Sequence, residues 1–427
     1  MHFENNREFA RARDESDTLK VFRDQFLIPK QDGKEIIYLC GNSLGLQPKL
    51  VRTYIDEQLT NWENLAVEGW FEGDSPWMFY HQEMQKLMAP VVGALPEEVI
   101  PMNTLSVNLH LMMVSFYRPK GKRVKILMEA SAFPSDQYAV ESQVRFHGYD
   151  PKNAIIEIHP RKGEEILHTE DIIAAINEHA EEIALVLFGG VNYYTGQFFD
   201  LEAIVNSGHS VGAYVGFDLA HAAGNLPLKL HDWNADFACW CTYKYLNSSP
   251  GGISGVFVHQ RHFNDQQLNR FAGWWGYQEK TRFNMEKGFV PQNGAEGWQL
   301  SCSPVLMMAA HKASLVIFQE AGGIDVLRKK SVELTAYLEF IIREVNRSIG
   351  EEQFRIITPA DPKSRGCQLS IIAKKDGKKI FDELVTRRIV GDWREPDVIR
   401  LSPVPLYNSF TDIFEFGQQL EAILKTE

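Results

Sequence analysis

The chain has 427 residues, of which 44% are hydrophobic and 23% are charged. This is an ordinary globular composition, and the length allows about two or three domains. The net charge of −12 and the lack of a compact lysine and arginine run argue against a nucleic-acid partner. The longest apolar runs, such as residues 183–188, are only strand-length, so neither a signal peptide nor a membrane span is expected. Five cysteines without a C-x-x-C pair predict reduced thiols in the cytoplasm.

Residues 1–60 predict a mixed segment of short elements. Leu19, Phe22 and Phe26 recur at helical spacing, and the apolar run 36–39 predicts a short strand. An amphipathic helix is expected after Pro48, and its apolar stripe consists of Val51, Ile55, Leu59 and Trp62. We expect this segment to pack against the C-terminal part of the chain.

The middle of the chain alternates between short apolar runs and helical stretches, of which 134–147 and 169–179 are examples. The expected strands are 99–102, 124–128, 154–158, 183–188, 213–217 and 237–241. Continuously apolar strands that alternate with helices predict an α/β fold, with a mostly parallel sheet and helices on both faces. Because such sheets bind ligands beyond the carboxyl ends of their strands, the functional residues should follow these runs.

The last third of the chain has a different pattern. A helix is expected from Pro304, with an interruption at Gly322 and Gly323, and it resumes over 326–345. The remaining elements are a strand at 367–373, a helix near 379–388 and a strand near 398–401. We therefore expect a large domain over 61–303 and a smaller α+β domain over 304–427.

Lys244 and Asp218 each follow an apolar run that is predicted to be a strand. An amine and a carboxylate at neighbouring strand ends suit the two ends of a pyridoxal phosphate ring: the lysine would bind the aldehyde carbon, and the aspartate would keep the pyridine nitrogen protonated. For a single lysine, however, simple surface exposure is the commoner explanation.

Two helix starts could complete a site for that cofactor. Asn103, Thr104, Leu105 and Ser106 follow the first predicted strand, and the N-terminus of a helix favours a phosphate. The segment 133–136 (FPSD) also follows a strand, and its phenylalanine could lie against a planar ring. Each segment alone is also explained by an ordinary helix cap. Their common position at strand ends of one sheet favours the cofactor site.

Other candidate sites are weaker. His259 and His262 have no carboxylate or further ligand at metal spacing, so no metal site is expected. Cys239 and Cys241 alternate within an apolar strand and are predicted to be core thiols. The sequence also lacks a G-x-S-x-G elbow, a P-loop and a dinucleotide-binding glycine fingerprint.

Several long motifs make the chain resemble the kynureninase family, pyridoxal phosphate enzymes of fold type I that act in tryptophan catabolism. The motifs are YLCGNSLGLQP (38–48), LSVNLHLMM (105–113), AFPSDQYA (132–139), YYTGQ (193–197), VGFDLAHAAGN (215–225), DFACWCTYKYLN (236–247), GWWG (273–276), RGCQL (365–369) and RLSPVPLYNSF (400–410). The resemblance implies a fold-type-I, transferase-like α/β fold and hydrolysis of the Cβ–Cγ bond of L-kynurenine to anthranilate and L-alanine.

The resemblance also implies the residues that hold the cofactor. Lys244 corresponds to the lysine that binds the aldehyde, Asp218 to the partner of the pyridine nitrogen and Tyr243 to a proton-transfer residue. Trp274 corresponds to a tryptophan that reaches the phosphate across the interface of a homodimer. The other implied cofactor contacts are Leu105, Ser106, Phe133, Pro134, Ser135, Asp136, Gly189 and His221.

For the substrate, the resemblance implies that Arg400 binds the α-carboxylate, a task that suits a forked guanidinium. Trp70 stands where vertebrate members of the family, which prefer the ring-hydroxylated substrate, have histidine, and this favours unsubstituted L-kynurenine. Cys302 stands where many members have asparagine, and a thiol replaces an amide poorly. Ser301 or Ser303 would then supply the contact that the amide makes.

Two rival functions remain open at this stage. A cysteine desulfurase or class V aminotransferase of the same fold would need a reactive loop cysteine or a second substrate subsite, and neither is evident in the sequence. A non-catalytic protein that binds pyridoxal phosphate would not need Lys244, Asp218, Tyr243 and Arg400 together.

Overall fold

Short elements make up the N-terminal segment of the computed structural model, which describes residues 2–425. The first helix begins after Asn6, whose side chain accepts a hydrogen bond of 2.7 Å from the amide of Phe9. It is a polar helix that the hydrophobic pattern did not predict, and the helix predicted through Phe22 is a 3₁₀ turn over Lys20–Gln25. The elements are α1 (Arg7–Ser16), β1 (Phe26–Leu27), β2 (Lys30–Gln31), β3 (Lys34–Glu35), β4 (Ile37–Tyr38), β5 (Gln47–Pro48) and α2 (Leu50–Leu65).

The middle of the chain forms the predicted alternation of strands and helices. Its helices are α3 (Tyr80–Val92), α4 (Leu105–Phe116), α5 (Pro134–Phe146), α6 (Pro151–Ala154), α7 (Thr169–Glu178) and α8 (Leu201–Ser210). Its strands are β6 (Val99–Pro101), β7 (Lys125–Glu129), β8 (Ile155–Ile158), β9 (Ile183–Gly189), β10 (Tyr214–Asp218), β11 (Phe237–Trp240) and β12 (Gly255–Val258). All six predicted strands are present, and β12 is an additional strand that the sequence analysis did not predict.

These seven strands form one sheet in the order β6-β12-β11-β10-β9-β7-β8. Only β12 runs antiparallel to its neighbours, so the sheet is mostly parallel as predicted. The carboxyl ends of β7, β9 and β10 therefore lie side by side at one edge, which is where ligands bind in such sheets.

Both faces of this sheet are buried in separate hydrophobic cores. Along β9, Val186 and Phe188 belong to one core, whereas Leu185 and Leu187 belong to the other. Because successive side chains of a strand point to opposite faces, this alternation requires helices on both sides of the sheet. The fully apolar sequence of β9 is thereby explained.

The C-terminal part contains a four-stranded antiparallel sheet in the order β13-β14-β17-β16, with helices packed against it. Helix α9 (Val305–Glu320) belongs to the core of the large sheet and packs on α2 and α3. The helices that pack on the four-stranded sheet are α10 (Ile324–Ile349), α11 (Gly377–Thr386) and α12 (Phe410–Lys425). The strands are β13 (Phe354–Ile356), β14 (Leu369–Ala373), β15 (Ile389–Val390), β16 (Asp392–Arg394) and β17 (Val398–Leu401). No helix within residues 2–425 is both long and apolar enough to span a membrane.

The N-terminal segment contacts both larger parts of the chain. Its strand β4 pairs in parallel with β15, and Ala10 and Leu39 lie in the core of the C-terminal part. Phe22 and Phe26 instead join the core of the large sheet. Gly45 lies so close to the chain around Lys244 that an added Cβ would be 2.3 Å from the Lys244 carbonyl. A glycine is therefore required where this segment packs against the lysine loop.

The apolar stripe predicted on α2 is only partly covered. Ile55 packs against the main core, whereas Leu59 and Trp62 are exposed, Trp62 by 62%. The periodicity thus predicted the helix correctly, although the second half of its apolar face has no partner within the described part of the chain.

Candidate active site

A cavity of about 270 Å³ lies at the carboxyl ends of β7, β9 and β10 and beside the first turns of α4 and α5. Eleven of the residues singled out from the sequence line it: Thr104, Leu105, Ser106, Phe133, Ser135, Asp136, Gly189, Asp218, His221, Tyr243 and Lys244. The fold therefore brings together segments that are more than a hundred residues apart in the sequence.

Lys244 enters the cavity from the loop that follows β11. Its Nζ atom lies 2.8 Å from Nε2 of His221. Burial, followed by the charge of Lys244, lowers the pKa of His221 well below 6.5. The imidazole is therefore neutral and accepts a hydrogen bond from the lysine, while its buried Nδ1 atom has no partner. An unpartnered buried nitrogen beside the lysine is a contact left for a ligand.

Two carboxyl groups, Asp218 and Asp136, lie together in the wall of the cavity, and both are buried. Burial raises the pKa of Asp218, while the amide of Ala220, the charge of Lys244 and a hydrogen bond with Asp136 oppose that rise. Burial and the Asp218 charge raise the pKa of Asp136 well above its ordinary value, so Asp136 is the protonated partner that donates to Asp218. Asp218 is thus a buried carboxyl group with a raised pKa, and no guanidinium or imidazole of residues 2–425 is bonded to it.

Aromatic rings border the same cavity. The Nζ atom of Lys244 lies 5.9 Å from the ring centre of Phe133 and 6.0 Å from that of Tyr243. The Phe133 ring is 40% exposed and stands edge-on against Tyr193, at a centroid distance of 5.2 Å. Burial raises the pKa of Tyr243 far above 10, so its hydroxyl stays protonated at neutral pH. The partly exposed Phe133 ring and the protonated Tyr243 hydroxyl, which is hydrogen-bonded to the Cys241 thiol, therefore border the space for a flat ligand.

Hydroxyl and backbone groups surround the other end of the cavity. Thr104, Leu105 and Ser106 stand at the N-terminus of α4, and the Thr104 side chain makes no capping hydrogen bond. Gly251, Gly252 and Ser254 complete this wall. A helix N-terminus with uncommitted hydroxyls is a suitable environment for a phosphate.

Arg400 is buried behind the cavity rather than in its lining. It donates a hydrogen bond of 2.7 Å to the carbonyl of Tyr193, which does line the cavity, and it forms an ion pair with Asp392. Its Nε atom is buried without a partner. The guanidinium thus keeps one donor that has no partner within residues 2–425.

Besides Arg400, five site residues implied by the resemblance lie outside the cavity lining: Trp70, Pro134, Trp274, Ser301 and Cys302. Pro134 starts α5 beside Phe133, while Ser301 and Cys302 are exposed. Trp70 and Trp274 both pack against Trp275, with centroid distances of 5.5 Å and 5.9 Å. These two tryptophans therefore belong to an aromatic cluster away from Lys244 in the same chain.

Gly251 and Gly252 belong to a run that the sequence suggested gives the backbone room beside the lysine. Sequence reasoning missed five residues of the cavity: Glu129, Val191, Tyr193, Ala220 and Ser254. Most are neighbours of residues that were singled out. Glu129 is different, because it is a buried carboxyl group at the end of β7. Its position after an apolar strand was the available signal, since ligands meet strands at that end.

The histidines that were considered as metal ligands lie elsewhere. His262 bonds to Asp236, and His259 stacks on His231 at 5.2 Å. Glu98 and His231 come close to His259, a grouping that the sequence did not reveal. The two Glu98 oxygens, however, already accept hydrogen bonds from the amides of Leu95 and Gln260.

Comparisons with known proteins assign the family. The aminotransferase class-V family matches residues 37–361, and the kynureninase C-terminal domain matches residues 327–420. A kynureninase of Flavobacterium johnsoniae is 54% identical over 421 residues, which cover 99% of each chain. A kynureninase of Nematostella vectensis is 50% identical and covers 99% of this chain and 94% of that relative. The chain belongs to the kynureninase family.

The fold is also that of known pyridoxal phosphate enzymes. An apo cysteine desulfurase from Thermococcus onnurineus aligns with a TM-score of 0.76 at 17% identity, covering 92% of this chain and 95% of that one. A variant of C-DES with glycine covalently linked to its PLP cofactor aligns with a TM-score of 0.74 at 14% identity, covering 90% and 96%. At this identity the likeness concerns the fold alone, so it does not favour desulfurase activity.

Family membership establishes the class of reaction. The chain is a pyridoxal phosphate-dependent enzyme that hydrolyses a carbon–carbon bond, as kynureninases do. The residues of the cavity fit that cofactor, because Asp218 offers a buried carboxyl group, His221 has a buried nitrogen without a partner and Lys244 supplies an amine. The expectations of fold, activity and cofactor are therefore confirmed.

Proposed function

We propose that the cavity around Lys244 is the site where this chain cleaves the Cβ–Cγ bond of L-kynurenine to release anthranilate and L-alanine. The observation that carries this proposal is the convergence of an amine, a buried carboxylate and a helix N-terminus in one cavity. When bound, pyridoxal phosphate supplies an electron sink for charge that develops at the substrate α-carbon. The roles below are those that the residues of this chain would take.

Lys244 is proposed to hold the cofactor aldehyde and then to move the α-proton of the substrate. His221, at 2.8 Å from the lysine Nζ, orients the amine, and its neutral ring adds no competing positive charge. Asp218 is proposed to hold a proton on the pyridine nitrogen, with Asp136 as its hydrogen-bonded partner. A cation beside Asp218 would offset the burial that now raises its pKa.

Tyr243 and Arg400 are proposed to act on the substrate. The phenol of Tyr243 retains its proton and lies at the cavity wall, so it can serve as a general acid. Arg400 is proposed to bind the α-carboxylate, because it presents a buried, uncommitted Nε atom next to the Tyr193 carbonyl that it already holds. The phosphate is assigned to the wall formed by Leu105, Ser106 and the glycines that follow the lysine loop.

We also propose that the enzyme is a homodimer whose sites are completed by Trp274 of the second copy. Trp274 is 45% exposed, and its neighbours Phe71, Phe283 and Met285 are exposed as well. Contiguous exposed apolar side chains of this kind mark interaction surfaces. Light scattering should give the mass of two chains, and Trp274→Glu should reduce both dimerisation and cofactor affinity. A fully active monomer would contradict this part of the proposal.

Two further assignments complete the proposal. Residues 1–60 are grouped with the small domain 304–427 around the large domain 61–303, an arrangement supported by the β4–β15 pairing. Location in the cytoplasm is supported by the cysteines, which are all free. Four of them, Cys40, Cys239, Cys241 and Cys367, are buried thiols.

Trp70 is proposed to favour unsubstituted L-kynurenine over its 3-hydroxy derivative. An indole with its ring packed on Trp77 and Trp275 offers an apolar surface and no acceptor for an added hydroxyl. The ratio of kcat/KM for the two substrates tests this directly. A clear preference for 3-hydroxykynurenine would refute it.

The central experiment is to incubate the purified protein with pyridoxal phosphate and L-kynurenine and to record anthranilate fluorescence together with alanine. Lys244→Ala is the matched control and should lose both turnover and the visible absorption of the bound cofactor. L-cysteine is offered in parallel. Sulfide in place of anthranilate would favour a desulfurase, and release of neither product would favour a non-catalytic binding protein.

A further inference from the structure

Glu129 is a buried carboxyl group of the cavity wall to which the proposed reaction gives no role. It is the last residue of β7, and only 4% of it is exposed. Burial raises its pKa to about 7, hydrogen bonds from Asn192 and Gly189 oppose that rise, and the charge of Asp218 adds to it. Because an unused carboxyl group at such a position is costly, its partners indicate what it does.

The first partner is Gly189, at the end of the neighbouring strand β9. Its amide donates to Oε1 of Glu129 at 3.3 Å. A Cβ added at position 189 would lie 2.7 Å from the same oxygen. The glycine therefore makes room for the carboxylate, and the two positions form one unit at the cavity wall.

The second partner is Asn192, which donates from Nδ2 to Oε2 of Glu129 at 2.9 Å. On its other side, Oδ1 of Asn192 accepts from the amides of Tyr194 and Thr195, at 3.0 Å and 2.9 Å. The side-chain amide can satisfy both sets of contacts only in this orientation. Glu129 thus holds the asparagine that shapes the turn 192–195.

That turn carries Tyr193, which contacts two residues of the site. Its ring stands edge-on against Phe133 at 5.2 Å, and its carbonyl accepts from Arg400 at 2.7 Å. Gln368 donates to the same carbonyl at 3.1 Å. A shift of the turn would therefore change two contacts of Tyr193 at once: the ring contact with Phe133 and the hydrogen bond from Arg400.

We propose that Glu129 is a positioning residue: through Asn192 and Tyr193 it sets the placement of Phe133 against the cofactor and of Arg400 against the substrate carboxylate. This inference rests on the roles proposed for Phe133 and Arg400. Because Glu129 is proposed to act through these other residues, its removal should alter binding more than the rate of the chemical step.

The test is a pair of single variants and their combination. Glu129→Gln keeps one acceptor for the Gly189 amide but turns a donor toward the donor of Asn192. Asn192→Asp keeps the acceptor for Tyr194 and Thr195 but places two carboxylates together. In the double variant the glutamine donates to the aspartate, so the same bond returns with its direction reversed.

Each single variant should raise the KM for L-kynurenine about tenfold and the Kd for pyridoxal phosphate about threefold, while kcat changes less than about threefold. The double variant should return both constants to within about twofold of the starting protein. Cofactor Kd is measured by absorbance titration of the apoprotein, so it does not depend on turnover. Asn346→Asp is the matched control. The Asn346 side chain also forms hydrogen bonds with its donor and its acceptor, to the carbonyl and the amide of Phe354, and neither residue lines the cavity.

Single variants that lower Tm as the control does, yet leave KM and cofactor Kd unchanged, would overturn the proposal. A double variant no better than the worse single variant would overturn it too. If the unaltered protein releases no anthranilate, the proposed reaction fails, whereas the cofactor titrations and their rescue still test the role of Glu129.

Discussion

Two buried aspartates at opposite ends of adjacent strands have opposite environments. Asp218 ends β10 inside the cavity, and burial raises its pKa. Asp236 directly precedes β11 at the other end of the sheet, where the amide of Val215, two histidines and Arg261 bond to it. Despite its burial, these partners lower the pKa of Asp236 well below 3.8.

The difference in partners between Asp218 and Asp236 distinguishes a functional carboxyl group from a structural one. Asp236 has all of its partners in the same chain, so its charge stabilises the junction of β10 and β11. Asp218 lacks a bonded cation because, in the proposed site, the cofactor brings one. A buried carboxylate whose pKa is raised at a cavity therefore indicates function, and one whose pKa is lowered by a full set of donors indicates structure.

The largest expected effect is on catalysis at the cavity end. Asp218→Asn should lower kcat/KM by roughly a thousandfold, because the amide cannot hold a proton on the pyridine nitrogen by charge. Tm should stay the same or rise, since a costly buried charge is removed. Steady-state kinetics and thermal melting of the same preparations measure both. A loss of stability with full activity would contradict the assignment.

Asp236→Asn should have the reverse pattern. Removing a fully partnered buried charge leaves the guanidinium of Arg261 without its carboxylate, and such losses cost about 3–5 kcal/mol of unfolding free energy. Chemical denaturation measures this cost. The kcat of the folded variant should remain within about twofold, and a strong drop in kcat would mean that the two ends of the sheet are not independent.

Arg400→Lys tests whether Arg400 binds the substrate carboxylate in the functional part of this comparison. A lysine keeps the positive charge but cannot bond Tyr193, Asp392 and a carboxylate together. The KM for L-kynurenine should rise about 10- to 100-fold, whereas cofactor absorbance should persist. An unchanged KM would show that the carboxylate binds elsewhere.

The smallest effect is the dependence of stability on pH. A carboxyl group with a lowered pKa in the folded state contributes stability above its ordinary pKa of 3.8 and loses that contribution as the pH falls. Unfolding free energy should therefore decrease on acidification below about pH 4, by up to about 1.4 kcal/mol per pH unit for this group. Asp236→Asn should flatten that part of the profile. Equal acid sensitivity in both proteins would argue against Asp236 as its source.

Most of the central sheet was predictable because inner strands such as β9 and β11 are continuous apolar runs buried on both faces. The strand β12 was missed, since Gly255–Val258 is short and follows a glycine-rich loop whose pattern indicates a turn. Helix α1 was missed because its sequence is polar, and it depends on the Asn6 cap and on contacts with α12. Hydrophobic periodicity finds elements that bury one face and overlooks those held by caps and neighbours.

The sequence by itself determined the parallel sheet, the lysine and aspartate that follow its strands, and the motifs of the kynureninase family. It did so because burial on two faces and covalent cofactor chemistry each leave local patterns of residue type. Only the tertiary structure decided that Glu129 meets Gly189 and Asn192, and that Trp70 and Trp274 lie apart from Lys244 in their own chain. Such contacts depend on strand order and loop packing, which join residues that are distant in the sequence.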